Sequence, residues 1–257
     1  MPSVACFTFD NMGEAADIGA GRLAGPVARG ADASLTIGYP AILALLERTR
    51  VQATFFIEGW NGAHHPEAVR TLVDHGHEVG MHGWLHETWS TLAPDAEQTL
   101  AARATEALAR AAGVAPRGFR APGGARSAHT EAVLQALGYR YDASLGDGMR
   151  PTLLPSGLAQ IPFVWPGVDG FHYLTRDPPA DPAAVRDAWL AALRAATGRG
   201  GLFVIICHAF LTGVDPARLA ALEAVIDAAH AAGVEIGTVG AVAERLVTSH
   251  QAPPHRR

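Results

Sequence analysis

Five side chains able to move protons or hold charge each follow a short apolar or extended segment: Asp10, His82, Arg120, Asp142 and His208. Acids, imidazoles and a guanidinium gathered in one place can hold a metal, activate water and shuttle protons. Asp10 and Asn11 close the run from Val4 to Phe9. Asp10 is placed to be a general base for a metal-held water, and Asn11 to offer a neutral carbonyl ligand. His82 and His86 lie four apart in Met81-His-Gly-Trp-Leu-His86. On a helix or a tight loop that spacing can bring two imidazoles to one metal, and it also fits two structural histidines. Asn11, His82 and His86 together supply no negative charge, so Asp10 is the nearest counter-charge and binding is expected to be weaker than with an Asp ligand. Glu14, three residues further on, is a candidate substitute ligand. Glu87 does not complete a His-Glu-x-x-His zinc-protease motif, because Gly83 follows His82.

Arg120 stands before Ala121, Pro122 and two glycines, where its fork can orient a carboxylate such as Asp10. Asp142 fits two tasks, fixing the tautomer of a catalytic imidazole or capping a turn with Ala143 and Ser144. His208 ends the run Phe203-Val-Ile-Ile-Cys207; held by Asp142, it could protonate a leaving amine. Other catalytic schemes find no residues. There is no Gly-x-Ser-x-Gly, and all 20 basic residues are Arg, which removes any Schiff-base or P-loop lysine. Cys6 and Cys207 sit inside apolar runs and read as reduced core thiols.

These residues need a scaffold that brings strand exits together. Apolar runs at 4–9, 53–57, 78–81, 118–121, 139–142, 161–165, 202–207 and 235–238 predict about eight short strands. Helical patterns over 40–48, 66–75, 94–112, 128–137, 182–197, 216–232 and 239–246 alternate with most of them. The segment 13–38 is too rich in glycine for assignment. Alternation of this kind predicts an α/β fold, a distorted (β/α) barrel of seven to eight short strands, in which all these exits meet on one face. No linker divides the chain, so residues 1–257 read as one domain, with a tail from 249 to 257 expected to fray. Trp84, Trp89, Trp165, Phe171 and Tyr173 are candidate pocket walls.

The 257 residues carry a formal net charge of -5, with 49% hydrophobic and 18% charged residues. That balance excludes a basic nucleic-acid-binding arm and a disordered acidic chain. No run is long and apolar enough for a membrane span, and residues 1–10 lack the pattern of an export signal, so a cytoplasmic protein is expected.

The sequence is similar to the polysaccharide deacetylase family, the chitooligosaccharide-deacetylase homology group, over nearly its whole length. Thr8-Phe9-Asp10-Asn11 resembles a first motif, Thr-Phe-Asp-Asp, whose first Asp is the base and whose second binds metal. His82-Gly-Trp-Leu-His86 resembles the second motif, Arg120-Ala-Pro-Gly123 the third, Tyr139-Arg-Tyr-Asp142-Ala-Ser144 the fourth and Phe203 to His208 the fifth. The resemblance implies a distorted barrel that hydrolyses carbon–nitrogen amide bonds. Asp10 would be the base, His208 the acid, Arg120 the residue that positions the base and Asp142 the partner of His208. Asn11, His82 and His86 would hold a divalent metal, zinc foremost, with cobalt or another divalent ion as alternatives. Asn11 departs from the family pattern, and Met12 does not supply the missing Asp. Three segments resemble the peptidoglycan-deacetylase-like and allantoinase-like branch: His82 to Glu87, Ile161 to Trp165 and His208 to Gly213. That likeness implies a small amide or N-acetyl sugar substrate and a homo-oligomer, dimer or tetramer. Two further readings stay open: a metal-independent allantoinase-like or cyclic-imide ring-opening hydrolase, and a catalytically inactive binding protein.

Overall fold

The computed structural model describes residues 3–28, 30–146, 148–198 and 201–251. The first strand, β1 (Val4–Asp10), is buried at every position, as a parallel strand covered on both faces must be. It is flanked by β8 (Leu202–His208) along its length on one side, and by β2 (Thr54–Ile57) and β9 (Glu235–Ile236) on the other. The sheet continues through β3 (Glu78–Met81), β4 (Gly118–Phe119), β5 (Tyr141–Asp142) and β7 (Ala159–Gln160) to β6 (Thr152–Leu153). Among the described residues only the β6–β7 pairing is antiparallel. The result is the expected α/β architecture, a curled sheet of the (β/α) barrel type. No ladder joins β8 to β6 or β7 among the described residues; a single bridge, Val168 to Ile206, reaches across.

The helices are α1 (Ala15–Gly19), α2 (Tyr39–Thr49), α3 (Gly59–His64), α4 (Pro66–Asp74), α5 (Pro94–Ala112), α6 (Thr130–Ala136), α7 (Asp169–Tyr173), α8 (Pro182–Thr197), α9 (Pro216–Ala231) and α10 (Val239–Gln251). Their ends follow local chemistry. Asp181 and Asp215 accept the exposed N–H groups of α8 and α9, and each is followed by proline at the first helical position. Gly113 closes α5 in the left-handed region at φ 77°.

Four expectations need correction. The strand at 161–165 is instead Ala159–Gln160, with only Phe163 bridged beyond it, because Pro162 has no N–H to give a ladder. The segment left unassigned, 13–38, contains α1 and a π-helical turn at Ser34–Gly38. Helices α3 and α7 were not expected; each is six residues or fewer, too short for a periodic signal. The helix expected to stop at 246 runs to Gln251, so residues 249–251 of the expected tail are its last turn, and 252–257 lie outside the described residues.

Candidate active site

Register puts the site where β1, β2, β3 and β8 end together. Asp10 lies opposite Phe56 on β2 and opposite His208 on β8. Asn11 and His86 both have φ of 62°, in the left-handed region that non-glycine residues avoid and that recurs at functional sites. The Asn11 backbone is pinned there: its N–H donates to the Phe56 carbonyl at 3.2 Å, and its own carbonyl accepts from Tyr39 Oη at 3.0 Å.

Arg120 organises two of its neighbours at once. It is 1% exposed, and its guanidinium lies over the Phe56 ring at 4.1 Å. Nη1 donates to Asp10 Oδ1 at 2.6 Å and to Thr8 Oγ1 at 2.9 Å, and Nε donates to the Ala143 carbonyl at 2.9 Å. Its own carbonyl accepts from His82 Nδ1 at 2.8 Å. A carbonyl can only accept, so Nδ1 carries the proton and His82 Nε2 carries the lone pair. That nitrogen faces Asp10 Oδ2 at 3.9 Å, beyond hydrogen-bonding distance. Two lone-pair-bearing atoms face each other across this gap, an arrangement suited to a cation or a donor between them.

The loop that returns His86 over His82 is built by Gly83, at φ 77°, and by Glu87, whose two carboxylate oxygens accept from Trp84 N and Leu85 N, each at 2.9 Å. The two imidazoles meet edge to face with centroids 5.0 Å apart. Burial lowers both histidines, His82 to about 3, so each is neutral near neutral pH and able to ligate. Burial alone would raise Asp10, but the Arg120 charge, with His82, His208 and the Arg120 hydrogen bond, holds it below the usual carboxylate range.

His208 is held by a residue the sequence reading missed. Its Nδ1 bonds Asp169 Oδ1 at 2.6 Å, and its backbone N–H donates to Asp169 Oδ2 at 2.8 Å. Asp169 is fully buried and accepts also from Thr212 Oγ1 and Gly170 N, each at 2.6 Å. Burial by itself would lower His208; the Asp169 charge and hydrogen bond, with Asp10 and Glu58, raise it. Asp142 is therefore corrected. Its carboxylate pairs with Arg126 at 2.8 Å and accepts from Ser144 Oγ at 2.5 Å, and Ser144 in turn accepts from Ala121 N, so Asp142 fixes the loop after β4. Asp169 was hidden because the segment before it meets β8 through only one bridge and gives no strand pattern.

Other expectations also shift. Glu14 is engaged by His65 Nε2 at 3.1 Å and by Val27 N at 3.3 Å, not by the paired histidines. Trp84 is buried beneath Arg103, and Trp89 donates to Glu97 at 2.8 Å inside the core, so neither is a pocket wall. Tyr173 is buried with Arg218 over its ring. Trp165 is 41% exposed and packs edge-on against Phe163, which lines the Arg120 guanidinium. Among the described residues, no three His, Cys, Asp or Glu side chains converge with the geometry of a complete metal site. The available donors still suit a divalent ion by type: two neutral imidazoles, one with its tautomer fixed through a carbonyl, beside the Asp10 carboxylate.

The sequence profile of the polysaccharide deacetylase family matches residues 4–141. A peptidoglycan deacetylase of Helicobacter pylori is 33% identical over 109 residues, covering 42% of this chain and 37% of that protein. The match thus spans little more than a third of that relative's length. A solved structure from Mycobacterium smegmatis, assigned to the polysaccharide deacetylases, superposes with a TM-score of 0.86 at 31% identity, over 99% of this chain and 93% of that one. An allantoinase shares the fold at a TM-score of 0.79 and 19% identity, over 98% of this chain and 92% of that chain.

Proposed function

The chain belongs to the polysaccharide deacetylase family, and from that premise we propose that it is a metal-dependent hydrolase of carbon–nitrogen amide bonds, acting on an N-acetylated sugar or a small amide. One observation carries the reading. Adjacent strand exits hold a carboxylate kept ionised, Asp10 on Arg120, and an imidazole whose pKa is raised, His208 on Asp169. Titratable neighbours whose environments push their protonation apart mark a base and an acid.

His82, His86 and the Asn11 carboxamide would hold the ion, and imidazole with oxygen donors suits zinc. When bound, the metal would lower the pKa of water and polarise the substrate carbonyl. The chain's own residues do the rest. Asp10 accepts the proton of the attacking water through Oδ2, while Arg120 fixes Oδ1 and keeps the carboxylate ionised. His208 presents Nε2 to the departing nitrogen, its Nδ1 anchored on Asp169, and gives it a proton. Carbonyl carbon–nitrogen cleavage then yields a carboxylate and an amine.

A second reading is favoured by the carboxamide at Asn11: ring opening of a cyclic amide with no metal. One experiment separates the two. Metal content per chain is measured on protein purified without added metal or chelator, before and after zinc soaking, alongside His82→Ala. Near-stoichiometric zinc that the variant loses, with amide hydrolysis abolished by chelation, is the expected result. Hydrolysis that persists in metal-free protein would overturn the metal-dependent reading in favour of the second.

A further inference from the structure

We infer that Glu58 Oε1 is an additional, anionic donor to the proposed metal site, supplying the negative charge that Asn11 does not. The inference rests on the metal-dependent reading above.

Glu58 follows β2 and continues its extended backbone, with φ of -68° and ψ of 138°. Side chains two apart on a strand share a face, so Glu58 leaves the strand on the face that carries Phe56. Backbone bonds on either side, His82 N to the Ile57 carbonyl and Gly59 N to the Gly83 carbonyl, each 2.9 Å, keep its backbone level with that of His82. On its other flank Oε2 accepts from Met12 N at 3.1 Å, one residue beyond Asn11. Oε2 also accepts from Asn61 Nδ2 at 2.8 Å. Glu58 is therefore tied by its side chain to the exit that carries Asn11 and follows the strand that pairs with the exit of His82.

Glu58 is fully buried, and among the described residues its Oε1 has no hydrogen-bond partner. A carboxylate oxygen without a partner in such a place calls for a cation or a proton. Burial, and less strongly the negative charge of Asp10, disfavour its ionised form, and among the described residues no arginine is paired with it. The charge balance points the same way. Asp10 is already neutralised by Arg120, and both histidines are neutral, so the other groups carry no net charge against a divalent ion. Burial pushes the Glu58 carboxyl up to about 8, so an ion bound at Oε1 would displace its proton, and the carboxylate would then bring one negative charge to the site.

The test is zinc titration of metal-stripped wild type, Glu58→Gln, His82→Ala and Asn11→Asp/Glu58→Gln, by calorimetry, with thermal melts of each. Glutamine can keep the carbonyl that accepts from Met12 N and Asn61, so it alters chiefly the unpartnered oxygen. Expected are a native-like melt for Glu58→Gln, zinc affinity about 10–100-fold weaker, and recovery in the double variant. Wild-type affinity in Glu58→Gln, with binding lost in His82→Ala, would overturn the inference and leave the metal-dependent reading standing. No zinc binding by wild type would overturn both. Should Glu58→Gln fail to fold, anomalous diffraction from zinc-soaked wild-type crystals decides: Glu58 Oε1 about 2.0–2.2 Å from zinc is expected, and an oxygen outside coordination distance would overturn the inference.

Discussion

At the scale of single residues, the division of labour depends on how Asp10 and His208 are charged. In the proposed mechanism His208 donates only while protonated, so activity is expected below its pKa and lost above it. Asp169 raises that pKa, which moves the alkaline limb of the rate profile above the ordinary imidazole range. Asp169→Asn is therefore predicted to shift the alkaline limb to lower pH and to reduce kcat by about 10²–10⁴-fold, read from kcat against pH. A merely structural role for Asp169 would lower stability without moving the limb. Arg120→Met leaves Asp10 buried and unpaired, a change that costs about 3–5 kcal/mol in comparable buried pairs. Denaturant unfolding should show a loss of that size, together with loss of turnover.

At the scale of elements, the exits of β1, β3 and β8 hold the groups, and two π-helical turns brace the last of them. Ala209–Gly213 follows His208 and packs backbone to backbone on Ser34–Gly38. A Cβ on Gly213 would lie 2.7 Å from the Gly38 Cα and oxygen, with no flexible side chain to give way. Gly213→Ala is predicted to destabilise by about 1–3 kcal/mol through overpacking and to lower kcat by displacing Thr212 from Asp169, measured by thermal melts and steady-state kinetics. This scale also explains what was legible in the sequence. Asp10, His82, Arg120 and His208 announced themselves because each directly follows a strand or forms its end. The same rule would have found Glu58, which follows Ala53 to Ile57, but no familiar motif drew attention to it. Asp169 follows no ladder, and its alliance with His208 exists only once a loop has crossed the opening in the sheet. Asp142 looked equivalent in sequence, yet Arg126 and Ser144 claim it. The alternation of strands and helices showed the barrel, whereas the short helices α1, α3 and α7 carry too few residues to show a period.

At the scale of the whole molecule, the C-terminal edge of the sheet gathers residues from the first strand to the eighth. Metal bound there should couple to folding, because its ligands come from segments distant in sequence. Zinc at about 100 times its Kd is predicted to add about 2.7 kcal/mol to stability, seen as a rise in Tm of about 5–10 °C. His82→Ala should melt at the same temperature with and without zinc. Among the described residues no helix is long and apolar enough to cross a membrane. The most direct test of the central claim is the release of acetate from N-acetylglucosamine oligomers and small N-acetyl amides by zinc-loaded wild type, set against Asp10→Asn of matched fold. The account predicts turnover on at least one of these amides by wild type and a rate at least about 10²-fold lower for Asp10→Asn. Equal rates in the two proteins, or no acetate from any amide with zinc demonstrably bound, would contradict it.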